Sequence, residues 1–309
     1  MTHQRKNHPL PKLPSAYPTH QHTIAKTVSV TNIGLHSGQP VTLTLQPAKP
    51  NHGIVFVRTD LSDRPYLPAH ASLITSTHLS SNLQKDGVQI ATVEHLLSAL
   101  AGMCVDNVLI EVSSAEVPIM DGSAADYVRL IEQAGKMKQN MPRRYLRLTN
   151  TIEVHDDDKW ASLSPYDGYR LDFEIDFAHP VVNQSIQTAS IEMTQGNYRS
   201  QISLARTFGF AKDIAYLQQN NLALGGNLDN AIVVDDDKIL NPTGLRLADE
   251  FVKHKILDAI GDLSLMGYPL LAHYQAFKSG HGLNNRLAKA VLNEPNCFEI
   301  VTIYDIHKN

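Results

Sequence analysis

KMKQNMPRR, residues 136–144, is the stretch that divides the chain. It is polar, contains a proline and interrupts periodic segments on both sides, so a domain boundary is expected there. Before it, KTVSVTNIGLHSGQPVTLTLQ (26–46) alternates apolar and polar residues around a turn holding Gly34 and Gly38, which predicts a β-hairpin. GIVFVR (53–58) and NVLIEV (107–112) read as strands. TVEHLLSALAG (92–102) and SAADYVRLIEQAG (123–135) have helical spacing, begin near Thr or Ser and end near Gly. Beyond the break, RYLRLTNTIEV (144–154) and YRLDFEIDF (169–177) alternate again. A helix is expected across roughly 245–266, a strand at LLAHYQAF (270–277), a helix after Gly282 and a last strand at FEIVTIY (298–304). Strands grouped with helices on both sides predict an α+β fold of two domains, 25–140 and 141–309.

The 309 residues suit two domains, and 42% hydrophobic with 19% charged residues is a globular composition. A net charge of -4 gives no general attraction for nucleic acid. Cys104 and Cys297 are too few for a disulfide framework or a multi-thiolate metal site, which fits a reducing compartment such as the cytoplasm. Residues 1–24, MTHQRKNHPLPKLPSAYPTHQHTI, lack the apolar core of a signal peptide and any buried periodicity. They read as a flexible tail whose scattered His3, His8, His20 and His22 fix no coordination geometry. No run approaches about 18 apolar residues, so no membrane-spanning helix is expected.

HKILDAIGD (254–262) sets His254, Asp258 and Asp262 at successive i, i+4 steps, on one helical face. Alone, such a pair is equally a surface hydrogen bond. The adjacent Glu94 and His95 diverge by about 100° on their helix, so they suit different roles, His95 as a third ligand and Glu94 beside a water. Three N/O ligands with one open position compose a catalytic rather than a structural zinc site. Such a site activates water against an amide or ester carbonyl. In KSGHGLNN (278–285), His281 sits between two glycines on a turn, where it suits a cation for an oxyanion or leaving amine, oriented by Asp262. Thr207, in ARTFGFAKDI (205–214), reads as a helix cap or as a hydroxyl donor to an oxyanion. Asp121 and Ser123, in PIMDGSA (118–124), read as capping residues.

Taken in order, TVEHLLSALAG, DNVLIEV, PIMDGSA, ARTFGF, AIVVDD, HKILDAIGD and SGHGLNN resemble the UDP-3-O-acyl-N-acetylglucosamine deacetylases, from about Lys26 to Tyr304. The resemblance implies two similar domains with the active site in the cleft between them. It implies zinc held by His95, His254 and Asp258, although iron(II) suits the same donors. It implies Glu94 as general base, His281 as acid or oxyanion partner supported by Asp262, and Thr207 polarising the carbonyl. Lys255 would point away from the ligands to meet a UDP diphosphate, and Phe208, Phe210, Ala211, Ile214, Leu222 and Leu224 would line an acyl passage. The implied reaction removes the 2-acetamido group of an acylated UDP-N-acetylglucosamine, the committed step of lipid A synthesis, in a cytoplasmic monomer. Two departures stand out, the long tail before Lys26 and Ser80 where some relatives carry Cys. A binding protein that had lost the chemistry would lack one of the base, acid or ligands. A hydrolase of another acylated amide would not be competed by UDP.

Overall fold

The computed structural model describes residues 17–306. The expected hairpin forms from Val28–Ile33 and Pro40–Pro47, with Val28 opposite Leu45. Val41, Leu43 and Leu45 point inward and are fully buried. This pair continues through Val108–Val112 and Ile54–Arg58 to Tyr66–Pro68, completing a five-stranded sheet. The helices Glu94–Gly102 and Ala125–Ala134 follow the sequence expectation.

A seven-stranded sheet forms the second part. Its main path runs Ile152–Asp156, Lys159–Ser164, Leu270–Phe277, Arg144–Leu148, Phe298–Thr302, with Tyr169–Glu174 and Thr188–Glu192 joined through Leu270–Phe277. Between Phe208–Phe210 and its parallel partner Ile232–Val234 lies the helix Ala211–Gln219, an inserted β-α-β unit. Its loop reaches the hairpin turn of the first part, where the Leu224 and Gly225 amides donate to the His36 and Leu35 carbonyls at 3.2 and 3.0 Å.

Mixed sheets packed with helices are the α+β class expected from sequence. The two parts meet through Glu94–Gly102 and the helix Glu250–Ser264, and buried side chains from Ile24 to Cys297 form one continuous core. Gly261 permits this helix crossing, because a Cβ there would lie 2.1 Å from the Glu94 carbonyl oxygen. Neither backbone can yield without separating the helices. Gly261→Ala is therefore expected to cost about 1–3 kcal/mol or more in stability through overpacking, read as an earlier urea midpoint. An unchanged midpoint would show that the crossing does not depend on glycine.

Two expectations need correction. The break at 136–144 is largely a strand, Lys136–Pro142, and it pairs antiparallel with His20–Ile24, placed by the sequence reading in the tail. Its partners are polar. Gln21, Thr23 and Gln139 point inward, with Gln21 bonded to Asn51 at 2.8 Å and Gln139 accepting from Asn107 at 2.7 Å. Hydrophobic periodicity cannot register such a ribbon. Residues 1–16 of the expected tail lie outside the described residues. No helix of the described residues is long and apolar enough to cross a membrane.

Candidate active site

The crossing of the two central helices brings together residues more than 150 positions apart. From one helix come Glu94 and His95, from the other His254, Asp258 and Asp262, all buried. His281 joins them as the first residue of the helix His281–Asn293.

One ligand atom each from His95, His254 and Asp258 lies within 4.8 Å of the others, a group able to hold a metal ion. The His254 ring is fixed by donating from Nδ1 to the Ala205 carbonyl at 3.1 Å, which leaves Nε2 as a lone-pair donor. That nitrogen faces Asp258 Oδ1 at 3.3 Å, and His95 Nε2 faces the same oxygen at 3.6 Å. Asp258 Oδ1 is buried and accepts no hydrogen bond. A lone pair confronting a carboxylate oxygen repels it, and a buried unsatisfied carboxylate is costly. A cation between them resolves both problems, so the residues fit a metal.

Electrostatics agree with this fit. Burial pushes His254 down to about 3, keeping the imidazole neutral as a ligand must be. Burial works against the Asp258 charge, but neighbouring positive charge, Lys255 included, outweighs it and holds the carboxyl well below its usual range.

Lys255 departs from expectation. Instead of pointing away from the ligands, it donates from Nζ to Asp258 Oδ2 at 2.7 Å, although burial opposes its charge. An i, i+3 pair lies on one helical face, so the ammonium orients the carboxylate whose other oxygen faces the imidazoles.

Glu94 and His281 lie beside the metal-binding group. Burial raises the Glu94 pKa, against the pull of His281 and His95. Its Oε2 accepts from the Ser81 amide at 3.1 Å, and its Oε1 lies 3.7 Å from His281 Nε2. The other ring nitrogen, His281 Nδ1, meets Asp262 Oδ2 at 2.9 Å. Burial disfavours the imidazolium, yet Asp262, Glu94 and Asp258 outweigh it and push His281 up to about 9. A carboxylate and an imidazole thus face one another across a small gap.

Thr207 and Phe208 follow the Ala205 carbonyl that fixes His254. Buried Arg206 bonds Glu250 Oε1 at 2.8 Å and ties this segment to the start of the Glu250–Ser264 helix. The Phe208 ring lies edge-on to His254, centroids 6.2 Å apart, and to Phe251 at 4.9 Å. The Thr207 hydroxyl makes no hydrogen bond among the described residues, and its amide bonds the Gly122 carbonyl at 2.8 Å. The apolar residues proposed for an acyl passage are partly exposed, and Ala211–Gln219 has no buried residue. The helix Ala125–Ala134 has Ala124 at its N-cap and no side-chain cap there, so Asp121 and Ser123 do not cap it, contrary to expectation; they bond one another at 2.7 Å, and Asp121 also pairs with Arg246 at 2.8 Å.

Sequence reasoning missed Ser81, Asn284 and Asn285. Ser81 donates from Oγ to Asp262 Oδ1 at 2.5 Å while its amide holds Glu94, so it spans both carboxylates. Asn284 donates to Asp262 Oδ2 at 2.9 Å, and Asn285 donates to Ser81 Oγ at 3.0 Å. Only their places, Asn284 three residues beyond His281 in a quoted motif and Ser81 beside a possible cysteine position, hinted at them. Ser81→Ala leaves buried Asn285 short of an acceptor and loosens Asp262. It is expected to cost about 1–3 kcal/mol and to lower turnover roughly tenfold with metal content unchanged. Unaltered kinetics would make Ser81 a bystander.

A buried group able to hold a metal ion, with a carboxylate and a histidine beside it, is the arrangement of a metal-dependent hydrolase. Comparison with known proteins narrows the class. The chain belongs to the UDP-3-O-acyl N-acetylglycosamine deacetylase family, whose model matches residues 21–293. It is 56% identical over 285 residues to the UDP-3-O-acyl-N-acetylglucosamine deacetylase of Psychrobacter sp. (strain PRwf-1), covering 92% of this chain and 96% of that relative. The proteins of the same name from Psychrobacter arcticus and Histophilus somni are 53% and 50% identical over 92% of this chain, covering 89% and 94% of their own lengths.

Proposed function

We propose that this chain hydrolyses the 2-acetamido group of UDP-3-O-(3-hydroxyacyl)-N-acetylglucosamine, releasing acetate and the free amine, the committed step of lipid A synthesis. The observation that carries the reading is the buried His95–His254–Asp258 group, whose ligand atoms converge closely enough to hold a cation. Relatives that share half or more of their residues with the chain bear the name of this deacetylase.

Zinc is the ion proposed, since two imidazoles and a carboxylate with an open position suit it, and when bound it supplies Lewis acidity to water and carbonyl. Glu94 takes the proton of the attacking water, its carboxylate aimed by the Ser81 amide. As the new C–O bond forms, the His281 imidazolium and the Thr207 hydroxyl donate to the developing oxyanion. His281 then gives its proton to the departing nitrogen as the C–N bond breaks, while Asp262 keeps the ring in place. The half-exposed apolar residues from Phe208 to Leu224 receive the acyl chain. Lys255 acts through Asp258, and its contact with a substrate diphosphate is the remaining proposal for that residue. A monomer in the cytoplasm completes the proposal, the location fitting a nucleotide-linked substrate.

Acetate release from the acylated UDP-sugar by purified protein tests the reading. Release stopped by a chelator, restored by zinc and competed by UDP supports it. No release at any acyl length from metal-loaded protein would overturn it, and release insensitive to UDP would point to another acylated amide.

A further inference from the structure

We propose that a cavity of about 420 Å³ between the two parts of the chain is a second ligand site, taking a small amphipathic organic anion. None of Glu94, His95, His254, Asp258 and His281 lines it. Its volume is in the range of small-molecule pockets, about 300–1,000 Å³.

The lining sets the ligand class. Two guanidinium groups, Arg143 and Arg144, border the cavity against one carboxylate, Asp106. Arg143 is 5% exposed, bonds Asp106 Oδ1 through Nε at 2.7 Å and the Tyr145 hydroxyl through Nη1 at 3.4 Å. Its Nη2 has no hydrogen bond among the described residues. With Arg143 paired to Asp106, Arg144 leaves one positive charge over at the cavity, which a carboxylate or phosphate ester can meet. Arg144 is exposed, lies 5.4 Å over the Tyr268 ring and among the described residues otherwise reaches Asn51 Oδ1, at 3.3 Å. Ile54, Met193, Met266, Tyr268 and Leu270 give part of the wall an apolar and aromatic character suited to a hydrocarbon or aryl body, beside polar groups such as Gln21, Asn107 and Gln195. Ala101 and Gly102 from one central helix and Ile260 and Ser264 from the other also line the space, so a ligand there touches both helices that carry the metal group. The inference stands independently of the deacetylase reading.

Cys104 lines the cavity and is partly exposed, whereas Cys297 is 1% exposed, so alkylation of the zinc-loaded full chain by iodoacetamide reports on this site. Decanoate is the probe, decanol its neutral control, and calorimetric titration gives an independent binding constant. Decanoate is expected to slow Cys104 alkylation saturably while decanol does not. Arg144→Ser should raise the half-protecting concentration roughly threefold to tenfold, the loss of one charge-assisted contact at an exposed position. No decanoate binding by either method, binding without protection of Cys104, equal protection by decanol, or an unchanged constant in Arg144→Ser would each overturn the proposal.

Discussion

Glu94→Gln is expected to keep the metal and to lose turnover by about 10²–10⁴-fold, the usual worth of a positioned general base. Glutamine keeps the volume of the side chain, and its carbonyl oxygen can still accept from the Ser81 amide, so the crossing at Gly261 and the metal group beyond it are left intact. What disappears is the proton acceptor. Burial raises the Glu94 pKa and brings its basicity toward the pH at which water must be deprotonated, an advantage no amide can reproduce. Metal content of the purified variant separates this loss from a ligand defect. His254→Ala, by contrast, should fail to hold the ion because it removes one of the three donors. Near-normal turnover in metal-loaded Glu94→Gln would remove Glu94 from the reaction.

That Glu94 and His95 meet different partners was legible in the sequence because adjacent positions on a helix cannot face the same way. Glu94 turns to His281 and Ser81, while His95 turns to Asp258. His254, Asp258 and Asp262 were legible for the converse reason, since four residues make about one turn. The hairpin and the long helices announced themselves through apolar periodicity. The ribbon of His20–Ile24 and Lys136–Pro142 did not, because its inward side chains are glutamine and threonine satisfied by distant partners. Lys255 was misread for a related reason. Direct succession in sequence separates it from His254, but three residues return it to Asp258, and one-letter adjacency hides the second relation. Ser81 acts partly through a backbone amide, a contact that side-chain identity does not encode.

His281→Ala is expected to lower turnover by about a hundredfold or more, the scale of one lost oxyanion donor, about 2.7–4 kcal/mol. Its pH dependence is the more discriminating result. Asp262, Glu94 and Asp258 hold the ring protonated against the penalty of burial, up to about 9, so the acid form is present at neutral pH and is lost as pH rises through that value. kcat/KM should therefore fall on the alkaline side near about pH 9 in the unmodified enzyme. Asp262→Asn removes the nearest negative charge, 2.9 Å from Nδ1, and must move that limb to lower pH, whereas a merely structural loss would scale the whole profile without displacing it. Stability obeys the same sign. The contribution of this raised histidine is present in full below its unfolded pKa of about 6.5 and fades as pH climbs through the folded value. Urea midpoints of the unmodified enzyme and of His281→Ala should accordingly converge toward alkaline pH. A flat rate profile between about pH 7 and 10, or an Asp262→Asn limb that does not move, would mean that the proton for the departing amine comes from another group.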